Sequence, residues 1–259
     1  MSHYFLLLSL PPLSLKVKPD ISYAELKDLL LLNLSESEYR TIFSVFEEND
    51  LYHLKAFWLG LTFQEEGVFD PSTIEERLLV QENLPLYLTD FLGKYETNQE
   101  KALHFNELLA SFYREKEEGK EGFLRDWFSF ERSVRLYLTA FRAKTLGRDL
   151  SKELQFEDPK DATVAFLIAQ KEGSELFVPN EWESLRNLFV QNGQDPEKLH
   201  EALLEYRFEK LEELEEKMVP FSFDQVLSYV AKFLLVERFF GQGDREKGYL
   251  ALEELSKYG

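Results

Sequence analysis

Apolar residues recur along this chain at intervals of three and four, the spacing that gathers side chains on one face of an α-helix. The run 196–218 shows the pattern. Leu204, Phe208, Leu211 and Met218 share one stripe, while Glu205, Glu209, Glu212, Glu213 and Glu216 lie largely off it. Such a helix turns the stripe to a core and leaves an acidic face in water. Start signals punctuate the pattern. Ser22, Ser35, Ser72 and Thr97 stand three residues before Glu25, Glu38, Glu75 and Glu100, the spacing of a capping box, and Ser222 stands likewise before Gln225. Asp158 and Asp195 each precede a proline, an N-cap acid followed by a residue suited to the first helical position. These signals predict helices over 23–33, 36–60, 73–80, 85–94, 98–118, 122–146, 159–171, 181–191, 196–218, 223–240 and 244–257. The chain is therefore expected to be all-α.

The stretch 4–10 is largely apolar, alternates poorly and ends at Pro11-Pro12. It reads as a short buried strand or extended arm that anchors the N-terminus. It is far shorter than the ~20 residues a membrane-spanning helix needs. It also lacks the basic start and small-residue cleavage site of a signal peptide. The breaks between helices are short, with no low-complexity linker. One helical domain over 1–259 is expected. A weak repeat runs through it. Phe43, Phe46, Glu47, Leu54, Ala56 and Phe57 match Trp127, Phe130, Glu131, Leu138, Ala140 and Phe141 at one constant offset, and Gly60 and Gly147 follow the two helices.

Composition narrows the function classes. The 259 residues include 48 acids, 30 bases and no cysteine, for a formal net charge of −18. That balance argues against a nucleic-acid partner, because neutralising phosphates needs clustered lysine and arginine, and against an anionic membrane surface. Without cysteine there are no disulfides, thiolate metal sites or cysteine nucleophiles. The four histidines are scattered, with no His-x-x-x-His pair, so no metal is expected. No phosphate-binding loop, dinucleotide fingerprint, nucleophile elbow or calcium loop occurs. With so many acids, some carboxylates always meet, so a carboxylate-based enzyme is the weakest of the readings. No cofactor and no small-molecule substrate are expected.

The polar residues that stand out lie on otherwise apolar helices. Asp50 sits one turn before His53, a spacing that can stabilise protonated histidine, and Lys55 follows. They form either a solvated stripe or a contact to another helix or a partner. Arg132, Arg135, Arg142, Lys144 and Arg148 concentrate positive charge on one helix, with Arg135 and Arg142 two turns apart on one face. They either pair with acidic helices within the chain or offer an acidic partner a docking strip. Glu237-Arg238 in the apolar 226–240 helix reads as a buried or interhelical ion pair. Asp50, His53, Lys55, Arg135, Arg142 and Arg238 are the candidate partner-binding residues.

These helices also carry a family resemblance. The segment Asn49-Asp50-Leu51-Tyr52-His53-Leu54-Lys55-Ala56-Phe57 resembles a helix of the C subunit of V-type and archaeal-type ATPases, called subunit d in the eukaryotic complex. Leu138-Thr139-Ala140-Phe141-Arg142-Ala143-Lys144 is similar to that family's second copy. The segment from Pro220 to Val230, with Glu237-Arg238, is similar to its third. His53 stands where the family has asparagine, and Val134 and Tyr137 stand at the polar positions of the second copy. The chain resembles more closely, over most of its length, a bacterial family of unknown function whose genes accompany V-type ATPase subunits. The resemblance implies three pseudo-repeated helical units, here 22–95, 98–171 and 180–259. It implies a non-catalytic, C-like accessory subunit that couples the central axle to the proteolipid ring in proton or sodium transport. Its partners would then be axle and ring subunits. Its place would be cytoplasmic, peripheral to the inner membrane through that complex. The alternative is a free-standing helical adaptor or scaffold unrelated to the ATPase.

Overall fold

A computed structural model describes residues 3–61, 78, 84–118, 121–173 and 175–240. The described residues form helices and turns. Their one β-bridge joins Ser14 to Val17. The expected helices 73–80 (Leu78 apart) and 244–257, and the Ser72 cap, lie outside the described residues. The helices are α1 (Tyr4–Ser9), α2 (Tyr23–Asn33), α3 (Glu36–Trp58), α4 (Leu86–Lys94), α5 (Asn98–Leu103), α6 (Phe105–Glu117) and α7 (Gly122–Thr145). After them come α8 (Leu150–Glu153), α9 (Ala162–Ala169), a 3₁₀ turn at Asn180–Trp182, α10 (Glu183–Asn192), α11 (Pro196–Glu215) and α12 (Phe223–Phe240). None of them is long and apolar enough to cross a membrane.

Local chemistry starts many of these helices as the pattern predicts. Ser22 with Glu25, Ser35 with Glu38 and Thr97 with Glu100 form complete capping boxes. Asp195 accepts a bond from the Lys198 amide at 3.2 Å, directly before Pro196. Two caps differ. Asp158 closes a tight turn onto the Lys160 amide, and Asp161, three residues later, caps α9 through the Val164 amide. Gln225 reaches the Phe221 amide at 2.6 Å instead of forming a box with Ser222. Phe221 adopts a left-handed φ of 58°, and its carbonyl accepts from the His3 amide at 2.9 Å. Both backbone groups of the turn are thus held, which offsets the cost of that conformation.

The N-terminal run is a correction. It forms the two-turn helix α1, not a strand or extended arm. Leu6 and Leu10, one helical turn apart, are buried, while Phe5 and Leu8 are exposed. A short apolar run does not distinguish strand from helix by periodicity, and here the burial follows helical spacing. The expected helix 98–118 breaks at His104, whose ring stacks on Tyr95 at 4.3 Å.

The chain divides into two compact units. One comprises 1–109 and 211–259, the other 110–210, so α6 and α11 contribute residues to both. In the first unit α3 packs on α2, α5 and α12. Its core includes Leu26, Leu30, Ile42, Leu51, Leu54, Leu88 and Phe233. Each such side chain contributes roughly 1.5–3 kcal/mol by leaving water. Glu215 accepts from Ser228 at 2.7 Å and from Lys232 at 2.6 Å, tying the end of α11 to α12. In the second unit α7 is central, with α8, α9 and α10 packed on it. Phe112, Phe128, Val134, Leu136 and Ala140 are fully buried there.

The helices of the weak repeat, α3 and α7, end alike. The Leu61 amide bonds back to Ala56 and the Arg148 amide to Ala143, around Gly60 and Gly147 at φ 69° and 63°. That is a general way to stop a helix, in which glycine supplies the left-handed residue. The matched side chains are less alike. Glu131 is buried in an ion pair, whereas Glu47 is half-buried and accepts from the Tyr87 hydroxyl at 3.4 Å.

Candidate docking groove

The second unit carries an open groove of about 490 Å³ with aromatic walls. Phe130, Ser133 and Tyr137 come from one face of α7, where helical spacing aligns them. Tyr206 and Lys210, one turn apart, come from α11, and Phe166 comes from α9. Pro179, Glu181 and Trp182 come from the 3₁₀ turn and its approach. Trp182 lies 5.9 Å from Phe130 with the rings 17° apart, and 5.0 Å from Tyr137. Tyr206 lies 5.6 Å from Phe130. The Lys210 ammonium sits 5.7 Å over the Phe130 ring. Glu181 is exposed, and its carboxylate accepts from the Trp182 indole N–H at 3.1 Å. Burial, with a smaller contribution from the Glu181 charge, pushes the Tyr137 hydroxyl up to about 12, so it remains a neutral hydrogen-bonding group.

The groove is preformed. Directly behind it, Arg207 Nε donates to both carboxylate oxygens of Glu131, at 2.8 and 2.9 Å. Glu131 and Arg207 are sequence neighbours of Phe130 and Tyr206, so this pair fixes α7 against α11 at the height of the aromatic walls. Glu131 is only 2% exposed, and burial makes such a pair costly to break.

The residues expected to bind a partner do not form one surface. Asp50 and His53 lie inside the first unit, 2% and 8% exposed. The surroundings of His53 favour its neutral form, although Asp50 stands at a spacing that can stabilise the protonated one. Burial, and then the Arg238 charge, lower its pKa to about 4. A neutral ring fits the 3.2 Å contact of its Nε2 with the Asn49 amide nitrogen. Lys55 places its ammonium 4.8 Å over Phe105, and burial lowers its pKa. Arg238, on α12, is half-buried. Among the described residues neither Glu237 nor Arg238 enters an ion pair.

Arg135 turns inward. Its guanidinium pairs with Glu157 and lies 5.3 Å over the Tyr113 ring. Arg132 joins the same cluster, 3.2 Å from Glu157, 3.0 Å from Asp161 and 3.5 Å from Glu117. Burial opposes the charge on Arg132, but those three carboxylates hold its pKa above the usual arginine value. Burial raises the Glu117 pKa. Asp161 stays low despite burial, because the Val164 amide and Arg132 donate to it. Lys144 reaches the carbonyls of Gln170, Lys171, Glu172 and Gly173, neutralising the C-terminal end of α9. Arg148 approaches Glu153 at 3.7 Å. Of the basic strip, Arg142 is exposed and has no ion-pair partner among the described residues. The reading in which these bases pair within the chain therefore holds for Arg132 and Arg135, and for the more exposed Arg148. Among the described residues no cluster of three or more histidines and acids is placed to hold a metal ion.

The profile of the family described as "Protein of unknown function (DUF2764)" matches residues 1–257. The chain belongs to the DUF2764 family. This DUF2764 chain is 30% identical to an uncharacterized protein of Chlamydia trachomatis serovar D over 241 residues, covering 91% of this chain and 90% of that one. It is 29% identical to an uncharacterized protein of Chlamydia muridarum over 242 residues, covering 91% of each. A Chlamydia pneumoniae protein is 31% identical over 219 residues, covering 82% of each. No solved structure matches the chain significantly.

The groove residues Trp182, Tyr206 and Glu181 were not singled out by the sequence. Trp182 sits in a polar stretch between Asn180 and Glu183, and Tyr206 interrupts an acidic helix face. Those two misplaced aromatics were the available signal.

Proposed function

We propose that this DUF2764 protein acts without catalysis, as a C-like accessory subunit of a V-type ATPase that holds partner subunits together through its helical surfaces. The observation that carries this reading is the resemblance of three segments to the C subunit, found on α3, α7 and α12. Two of these, α3 and α7, are the longest described helices, at 23 and 24 residues. The groove supports a protein-binding role more generally. Tryptophan and tyrosine dominate the residues that carry binding energy at protein interfaces, and both line it. The reading also places the partners among axle and ring subunits, on the cytoplasmic side of the membrane.

ATP-driven ion transport in membranes from a deletion strain tests the proposal. The expected result is ATP hydrolysis that persists while transport falls, restored by re-expression. Transport equal to the parent strain contradicts it. A second reading, a free-standing helical adaptor, takes its support from the division into two compact units rather than three.

A further inference from the structure

We infer that an uncharged apolar patch of the first unit, formed by α1, the end of α2 and the turn before α12, pairs two copies of this chain about a two-fold axis. The inference goes beyond the proposed function and does not rest on it.

The patch begins in the sequence. Charged residues make up 30% of the chain, yet 4–15, 29–35 and 218–223 contain none. Folding gathers the three segments. The α1 helix packs on α2. At its start the buried His3 donates its amide to the Phe221 carbonyl at 2.9 Å, and its ring Nε2 meets Glu38 at 2.9 Å. Glu38 is the capping partner of Ser35, two residues past the end of α2. Tyr4 packs edge-on against Phe221, with 4.7 Å between ring centres. Around this junction large apolar side chains stand in water. Phe5 is 82% exposed, Leu32 81% and Val219 73%, and Leu8 and Leu31 are more than half exposed. Together these side chains present roughly 700 Å² of apolar surface, more than a monomer ordinarily leaves in one patch and close to the ~800 Å² that each partner gives a stable interface.

Charge selects the occupant. The chain carries −18, so two copies repel wherever their acidic faces approach. A two-fold contact lays this patch on itself, apolar against apolar, and brings no acid of these segments against another. The three segments hold no lysine or arginine to meet lipid headgroups, and the net charge disfavours an anionic bilayer. A charged protein partner finds no opposite charge in them.

The test is sedimentation equilibrium on the purified full chain, across a concentration series from micromolar to sub-millimolar. The expected result is a monomer–dimer equilibrium built on the 30.6 kDa chain, with the dimer as tight or tighter at high salt, since screening weakens the repulsion and spares the apolar contact. Phe5→Asp and Leu32→Lys should each weaken the dimer about tenfold or more. The two introduce opposite charges, so a shared effect reports burial of the patch rather than a change in net charge. Val190→Asp, at a residue of the second unit that is 71% exposed, should leave the dissociation constant unchanged. Circular dichroism of all three variants should match the parent, because each site is exposed. A chain that stays monomeric throughout overturns the inference, and flotation with phosphatidylcholine vesicles then assigns the patch to lipid instead. A dimer that neither Phe5→Asp nor Leu32→Lys weakens overturns it too. Sedimentation needs no ATPase subunit, so failure here is distinct from failure of the proposed function.

Discussion

His53 shows how far one buried residue departs from its expectation. Asp50, one turn away, stands where it can stabilise a protonated ring, but burial and Arg238 favour the neutral one. Its pKa falls from 6.5 to about 4 on folding, so the unfolded chain binds the extra proton in that window. Stability contributed by neutral His53 is complete above pH 6.5 and is lost as pH falls towards about 4. The loss amounts to roughly 3 kcal/mol, from the proportionality between pKa shift and free energy. Thermal midpoints measured across that window should fall steeply, and His53→Phe should flatten the profile even if its absolute midpoint is lower. Caps are the other residue-scale feature. Ser35→Ala should cost about 1 kcal/mol in urea unfolding, because Ser35 and Glu38 satisfy each other's backbone amides. Caps were legible in the sequence because they are local: a serine and a glutamate three residues on carry the whole device. The state of His53 was not, because Arg238 and the covering helices come from elsewhere in the chain.

At the scale of elements, the helices themselves were legible and their contacts were not. Most of the predicted spans within the described residues recur within a few residues of their expected ends. Exceptions arose where a run was too short, as in α1, or where a helix breaks, as at His104, whose ring stacks on Tyr95. The basic strip on α7 looked like one feature and is several. Arg132 and Arg135 meet Glu157 and Asp161, which lie after the short helix α8 in a turn that periodicity does not place. Glu157 is shared by both guanidinium groups and is almost fully buried. Replacing it leaves two buried cations short of a partner, so Glu157→Gln should cost about 3 kcal/mol. Arg40→Ala, which removes an exposed pair with Glu36, should leave the urea midpoint essentially unchanged. A comparable effect of the two substitutions would contradict the distinction drawn between buried and exposed pairs.

At the scale of the whole molecule, the acidic composition argues against some classes of partner and identifies none. Bases and acids nearly balance in residues 110–210, so most of the acid excess lies in the rest of the chain. The groove could not be read in advance, because it collects Tyr137, Phe166, Trp182 and Tyr206 from four separate segments. Helical patterning fixes which residues face inward on each helix, not which helices bring their aromatics together. The likeness to the DUF2764 family and to a chlamydial relative covers nearly the whole chain, whereas the proposed ATPase role rests on the resemblance of segments on α3, α7 and α12 alone. The most direct test is the subunit composition of a V-type ATPase purified intact through its catalytic subunits from cells expressing this protein at its native level. The account predicts that the chain is present in fixed ratio to the axle and ring subunits and stays with them through size-exclusion chromatography. A complex that is intact and active but lacks the chain would contradict it.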